Sequence, residues 1–556
     1  MNEFASETRG GRAAYPIACA SAALLVVATY SNHFHNAFHF DDSHTILNNA
    51  YVRSVRNIPL FFTHPSTFSA LPSNQSYRPL VTTTLAVDYW ISGGLNPLMF
   101  HVTSFSLFLV LCVLLLALYR RVMDQARPGE ANRWLALLAA SWYGLHPANA
   151  ETVNYIIARS EILSTLGVVA ALVMFARGGI ARRYHLYLIP AGLGILGKEA
   201  AAMFAPLLLL YILFFEPDVP LRAAWPSFVA CFAIVGAAMW LATTYSPGGP
   251  SIWRYLLTQP FVMLHYARSL FLPLRLSADT QWPLVEGPLD RRVLIGVAFI
   301  GAALAAARAA SRRRDTRPIA FGILWFFVAL LPTSSLVPLS EPMNDHRMFF
   351  PFVGLILAVV WAAWVAVCKY EVRSLKYEAR GLKYERSYFE LRTSYLRVVA
   401  VAALGIILAM AYGTRQRNIV WHSEESLWLD TTIKSPDNGR GLMNYGVIQM
   451  NKGNLPLAGE YFERALRYIP DYSYLHVNIA ILKAALGQRT EADREFREAL
   501  RDDPFNPVSY THYARWLKSL GRTEEARLYA SRAVELSPAD VDARLLFEDL
   551  TAAGRR

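Results

Sequence analysis

The sequence predicts an all-α protein in two parts: a polytopic membrane bundle of about eleven spans, then a soluble C-terminal α-solenoid. Three observations carry this expectation. Hydrophobic residues make up 54% of the chain, charged residues only 17%, and the mean hydropathy of +0.25 is too apolar for a soluble protein. The charges cluster in short blocks between long apolar runs. A strict repeat then begins where the apolar runs stop.

Apolar runs fall near 15–32, 98–119, 134–146, 161–176, 185–197, 199–215, 225–243, 291–309, 319–333, 348–368 and 397–413. The first, about Tyr15 to Tyr30, lacks a small-residue cleavage site and reads as a retained helix. The net charge of +12 does not point to nucleic acid, because the basic residues occupy loops between apolar segments. Those blocks are Arg120 to Arg133, Arg177 to Arg183, Arg308 to Arg317 and Lys369 to Arg397. Placing all four on the cytoplasmic side requires a cytoplasmic N-terminus and an odd number of spans. The apolar stretch Tyr255 to Leu276 is therefore read as a re-entrant or interfacial segment on the outer face. Residues 33–97 form a large outer loop with interfacial helices. Residues 369–397, which repeat Lys-Tyr-Glu every seven positions, read as a basic cytoplasmic helical segment; a solvated helical linker is the alternative. The four cysteines all lie in apolar stretches and imply no disulfide framework.

The membrane part spans 1–413 and the soluble part 414–556. In the latter, Pro436, Pro470, Pro504 and Pro538 are each 34 residues apart, and Gly453, Gly487 and Gly521 keep the same period. Ala458, Ala492 and Ala526 follow it too, small residues where paired helices approach closely. These repeats, 437–470, 471–504 and 505–538, resemble tetratricopeptide (TPR) units, with 539–552 as a capping helix covering the last apolar face.

Ionisable groups at membrane depth are costly and mark function by default. Here they collect on one side. Asp41, Asp42 and His44 follow the first span; Tyr77 and Arg78 lie later in the same loop. His146, Glu151, Arg159 and Glu161 sit in the next outer hairpin, Lys198 and Glu199 at another tip. Asp279 follows the re-entrant segment, and Glu341, Asp345, His346 and Arg347 open the tenth span. Carboxylates so placed can take a proton from a hydroxyl attacking an anomeric carbon. Arginine and lysine can hold a phosphate leaving group. Adjacent carboxylates at Asp41 and Asp42 with His44 nearby make a divalent metal conceivable, but neighbouring side chains do not readily chelate one ion without a third ligand; no obligatory metal or cofactor is expected.

The motifs FDD after the first helix, YRPL, HPANAETVNYIIARSE, KE and NDHRMFFP, in that order and followed by TPR units, resemble the TMTC family. These are GT-C-fold membrane glycosyltransferases whose animal members are protein O-mannosyltransferases using dolichyl-phosphate mannose on the luminal side. The resemblance implies a transferase that moves a monosaccharide, mannose favoured, from a polyprenyl-phosphate donor to a protein serine or threonine with inversion. It implies Asp41 or Asp42 as general base, with Asp41 preferred. Arg78, Tyr77, Lys198, His346 and Arg347 would contact donor phosphate or sugar. His44, His146, Glu151, Arg159, Glu161, Glu199, Asp279 and Asp345 would shape the pocket. Two departures bear on substrate identity: animal members carry many more repeats, and usually have Glu-Arg where this chain has His346-Arg347. A glycan or lipid acceptor, or a non-catalytic TPR membrane scaffold, are the competing readings. The alanine- and arginine-rich composition suggests a bacterial inner membrane protein with periplasmic repeats that recruit a protein acceptor.

Overall fold

The computed structural model describes residues 2–71, 74–241, 251–334, 338–339, 341–378, 385–538 and 540–553; the side chains of residues 2–13 and 370–397 lie outside that description. The basic side expected of 369–397 falls almost wholly among those side chains. The described residues contain helices and no strands.

The bundle comprises α1 (Asn2–Thr29), α2 (Pro79–Ser92), α3 (Pro97–Ala126), α4 (Ala131–Gly144), α5 (Asn149–Asn154), α6 (Arg159–Arg177), α7 (Leu188–Gly197), α8 (Phe204–Phe215), α9 (Trp225–Leu241), α10 (Ile252–Ser269), α11 (Arg291–Ser311), α12 (Arg317–Leu330), α13 (Phe349–Glu378) and α14 (Glu385–Val420). Among the described residues, seven segments are long and apolar enough to cross a membrane: Ala14–His35, Pro97–Ala126, Ile156–Arg177, Leu221–Leu241, Arg291–Ser311, Asp345–Lys369 and Val398–Val420. Reaching about eleven means counting α4, α7, α8 and α12, which at 10 to 14 residues are short against the roughly 20 that a span requires. The segment read as re-entrant is the helix α10, outside that set of seven.

Small residues let these helices approach. A Cβ on Gly322 of α12 would meet the Gly354 carbonyl of α13, and one on Gly167 of α6 would meet the backbone of α7. Backbone contact of this kind is how helices pack where lipid removes the hydrophobic drive.

The basic loops converge at one end of the bundle. Arg314 donates to the Gln125 carbonyl at 3.1 Å, Arg182 pairs with Glu216 at 3.1 Å, and Arg317 donates to the Phe214 carbonyl at 2.9 Å. The opposite end holds the first long loop, clamped by buried asparagines. Asn154 bridges Asn36 and Asn418, so the loop, the α5 turn and the end of α14 share one hydrogen-bonded knot.

Beyond α14 lies α15 (Glu424–Lys434), begun by a Ser423 capping box. Three helix pairs follow: α16 (Gly439–Asn451) with α17 (Leu455–Leu466), α18 (Ser473–Ala485) with α19 (Arg489–Asp502), and α20 (Pro507–Ser519) with α21 (Thr523–Leu536). Helix α22 (Val541–Ala553) closes the stack. Gly453, Gly487 and Gly521 turn each pair at φ of +83°, +76° and +77°, the left-handed region that glycine enters without steric cost. Ala458, Ala492 and Ala526 are fully buried where the helices meet.

Candidate active site between the bundle and the repeats

The two neighbouring aspartates of the first loop diverge because Phe40 is held at φ +48°, an uncommon state for a bulky residue. Its ring is gripped edge-on by Tyr155, Trp421 and Trp428. From that turn Asp42 points inward. It is 0% exposed, and its two oxygens accept from the backbone N–H groups of His39 and Ile157, both at 3.0 Å. Burial pushes its carboxyl up to about 7, although the His39 and Ile157 groups oppose the rise. Asp41 points outward, its side chain 53% exposed, with Oδ1 3.3 Å from His44 Nε2. Its surroundings push the carboxyl up, but His44, the Tyr155 hydroxyl and Arg78 outweigh that and hold it below the usual carboxylate range.

Asp41 stands on the wall between two cavities. The first, about 270 Å³, is lined by Asp41, His44, Arg78, Glu161, Lys198 and His346, among others. Lys198 is ion-paired to Glu161. It sits there because the chain becomes extended after α7 and turns into a short 3-10 helix at Glu199–Met203. Arg78 lies over the Phe68 ring at 5.5 Å, and its one ion pair among the described residues is to the exposed Glu199, at 3.8 Å. Its Nε is buried with no hydrogen-bond partner. Of the two cations, Arg78 is the less committed.

The second cavity, about 570 Å³, shares Asp41, Tyr155 and His346 with the first and extends to the repeats. Glu151 holds His346 Nδ1 at 3.0 Å, while its other oxygen is buried without a partner. The far wall is Trp428 of α15, Arg440 and Asn444 of α16, and Tyr472. Asn438 caps α16 by accepting from the Gly441 N–H at 2.9 Å, which sets Arg440 in the first turn. Arg440 NH2 then reaches Asp279 at 2.7 Å and Glu341 at 2.8 Å, joining the first repeat to the bundle. None of these repeat residues was singled out from the sequence. Arg440 stands in the first turn of α16, and its local sequence does not set it apart from the other charges of the repeats.

Several expected site residues line neither cavity. Arg159, fully buried, is consumed by Asp88 at 2.6 Å, Ser104 at 3.0 Å, Thr84 at 3.0 Å and the Phe100 carbonyl at 2.6 Å. It is a structural ion pair within the bundle, not a pocket residue. His146 accepts from the Ala148 N–H at 3.2 Å and faces the Leu270 carbonyl at 3.1 Å, both ring nitrogens being used in a buried turn. Asp345 is buried and takes the Ser277 N–H at 2.9 Å. Tyr77 donates to the Phe62 carbonyl at 2.9 Å, and Arg347 to the Glu341 carbonyl at 2.8 Å, each holding a loop rather than facing donor space. Glu199 lies outside both cavities, beside Arg78 and Lys198. Asp42 lines neither cavity, both its oxygens accepting from backbone N–H groups of the loop.

A family model for the tetratricopeptide repeat matches residues 439–472 and 508–540. The chain is 22% identical over 571 residues to protein O-mannosyl-transferase Tmtc3 of Drosophila melanogaster, covering 88% of this chain and 59% of that protein. To TMTC3 of Mus musculus it is 22% identical over 530 residues, covering 85% and 53% respectively. It thus spans little more than half the length of these curated relatives. Among solved structures, the oligosaccharyltransferase of Archaeoglobus fulgidus covers 72% of this chain and 53% of its own with 12% identity, at a TM-score of 0.39 that is too loose to bear on the fold. Over most of its length this chain is similar to the TMTC protein O-mannosyl-transferases, and its C-terminal part carries tetratricopeptide repeats.

Proposed function

We propose that the chain is a membrane glycosyltransferase of GT-C type that moves mannose from a polyprenyl-phosphate donor to a serine or threonine hydroxyl of a protein, with inversion. The observation that carries this reading is Asp41 standing between two cavities of different character. Donor phosphate belongs beside Arg78 and Lys198, since a guanidinium with an unmade hydrogen bond suits a phosphate oxygen. The acceptor enters from the larger cavity, whose far wall is the first repeat. Its hydroxyl oxygen attacks the anomeric carbon as the bond from that carbon to the phosphate oxygen breaks. Asp41 accepts the hydroxyl proton, and Arg78 and Lys198 stabilise the polyprenyl phosphate as it leaves. A carboxyl held below the ordinary range is already ionised at neutral pH, the form a base requires. The convergence of the basic loops at the other end of the bundle supports a site on the non-cytoplasmic face, with the repeats outside.

The test incubates purified full-length protein with a panel of polyprenyl-phosphate monosaccharides and a serine- and threonine-rich peptide. Mass spectrometry should show polyprenyl-phosphate mannose consumed and the peptide gaining one hexose. If no donor is consumed, the transferase reading fails. A second reading, a glycan acceptor, is favoured by the aromatic side chains of Phe38, Phe40, Trp428 and Tyr472 around the larger cavity, which suit stacking on a sugar ring. An oligosaccharide acceptor in the same assay separates the two.

A further inference from the structure

A third cavity, about 490 Å³, lies between the end of α14 and the segment after α10, and the transfer proposed above makes no use of it. Its floor is apolar, formed by Phe271, Leu272, Leu274 and Met410. The first three are 53%, 52% and 66% exposed. Along the same span, Leu404, Ile406 and Leu408 are also exposed, so apolar surface runs from this cavity down the helix.

The rim is basic. Arg275, Arg417 and Lys434 face a single lining carboxylate, Asp430. Asp430 gives one oxygen to Arg417 at 2.7 Å and the other to Lys434 at 2.7 Å, so one negative charge serves two cations. Arg275 is exposed and makes no ion pair among the described residues. Arg417 has a side chain only 7% exposed, yet its NH2 nitrogen is buried with no hydrogen-bond partner. An unmet donor of this kind destabilises the fold until an anion satisfies it. The placement of Arg417 follows from Gly413 one turn earlier: a Cβ there would lie 2.9 Å from Pro147, so only glycine lets α14 press against that turn.

We propose that this cavity binds one anionic phospholipid, with its phosphate among Arg417, Lys434 and Arg275 and its acyl chains along the apolar floor. A free phosphate would satisfy the rim but leave the exposed floor uncovered. Since Lys434 ends α15, the helix that leads into the repeats, the headgroup also ties the repeat domain to the bundle.

The test applies native mass spectrometry to purified full-length protein offered phosphatidylglycerol and phosphatidylcholine with the same acyl chains. One charged contact of roughly 1.4 kcal/mol gives about a tenfold preference, so phosphatidylglycerol should be retained about tenfold better. Arg275→Gln and Lys434→Gln should each cut that preference several-fold, with an unchanged melting temperature in neutral detergent. Arg275 has no protein partner to lose, so its result is not confounded by misfolding. Equal retention of the two lipids overturns the proposal, as does a preference that survives both substitutions together. Displacement of phosphatidylglycerol by millimolar inorganic phosphate also overturns it, since the site would then ignore acyl chains.

Discussion

Two clusters of charged residues, one around Arg159 and one around Arg78 and Asp41, have opposite characters. Around Arg159, each guanidinium nitrogen is engaged: Nε by Ser104, Nη1 by Thr84 and Asp88, and Nη2 by the Phe100 carbonyl, and Arg159 lines neither of the two cavities beside Asp41. Around Arg78 and Asp41, the cation has an unmade hydrogen bond, the carboxylate is half exposed, and both face open space. Residue type does not separate the clusters, since each is an arginine with a carboxylate near the membrane. Leftover valence does. A buried guanidinium whose nitrogens are all engaged holds helices together, whereas one with a nitrogen to spare can bind.

Substitutions should break the clusters in different currencies. Arg159→Met leaves Asp88 buried and uncompensated, and removing one partner of a buried pair costs about 3–5 kcal/mol. Loss of folded protein, read as a collapsed size-exclusion peak or melting temperature, is expected. If Arg159→Met protein melts like the wild type and loses only transfer, the structural assignment is wrong. Asp41→Asn should do the reverse, lowering transfer by about 10³-fold while the melting temperature stays put. Because its carboxyl lies below the ordinary aspartate value of about 3.9, the acid limb of the wild-type rate profile should fall below that pH.

Asp42→Asn is the intermediate case. Its amide can accept through only one atom, so either the His39 or the Ile157 N–H loses its partner, at a cost of about 1–3 kcal/mol. A thermal melt should record that loss with transfer largely kept. The carboxyl is raised in the folded state, so folding takes up a proton between the unfolded value and about 7. Stability from this group is therefore full below about 4 and declines as pH rises toward 7. The Asn variant should lack that slope.

Much of the architecture was readable in sequence because it repeats or runs long. The 34-residue spacing of Gly453, Gly487 and Gly521 marks the turns of three helix pairs, and the apolar runs coincide with helices. The candidate site was readable only as a pool of charged residues. Sequence could not divide Asp41 from Asp42, because the division depends on the positive φ of Phe40, which three distant aromatic rings maintain. Nor could it remove Arg159, since Asp88, its partner, sits 71 positions away in an amphipathic stretch. Arg440 was invisible for the same reason: its importance comes from Asp279 and Glu341, which lie in the other domain.

Arg440 supplies the smallest and most discriminating test. It is 38% exposed, so each of its ion pairs is partly screened and worth no more than about 1 kcal/mol. Arg440→Gln should therefore raise the acceptor KM only about two- to fivefold, leaving donor hydrolysis unchanged because the smaller cavity is untouched. The direction follows from what remains. Burial already pushes the Asp279 carboxyl up, and Glu341 adds to that rise while Arg440 opposes it. Burial acts on Glu341 as well, but Arg440, Asn344 and Arg347 bring it below its usual range. Without the arginine, the bundle keeps two neighbouring carboxylates and loses its ion pairs to the first repeat, which should swing away from the acceptor cavity. A KM that is unaffected at neutral pH would mean that the repeats are merely attached to the site, and that the acceptor is bound by the bundle alone.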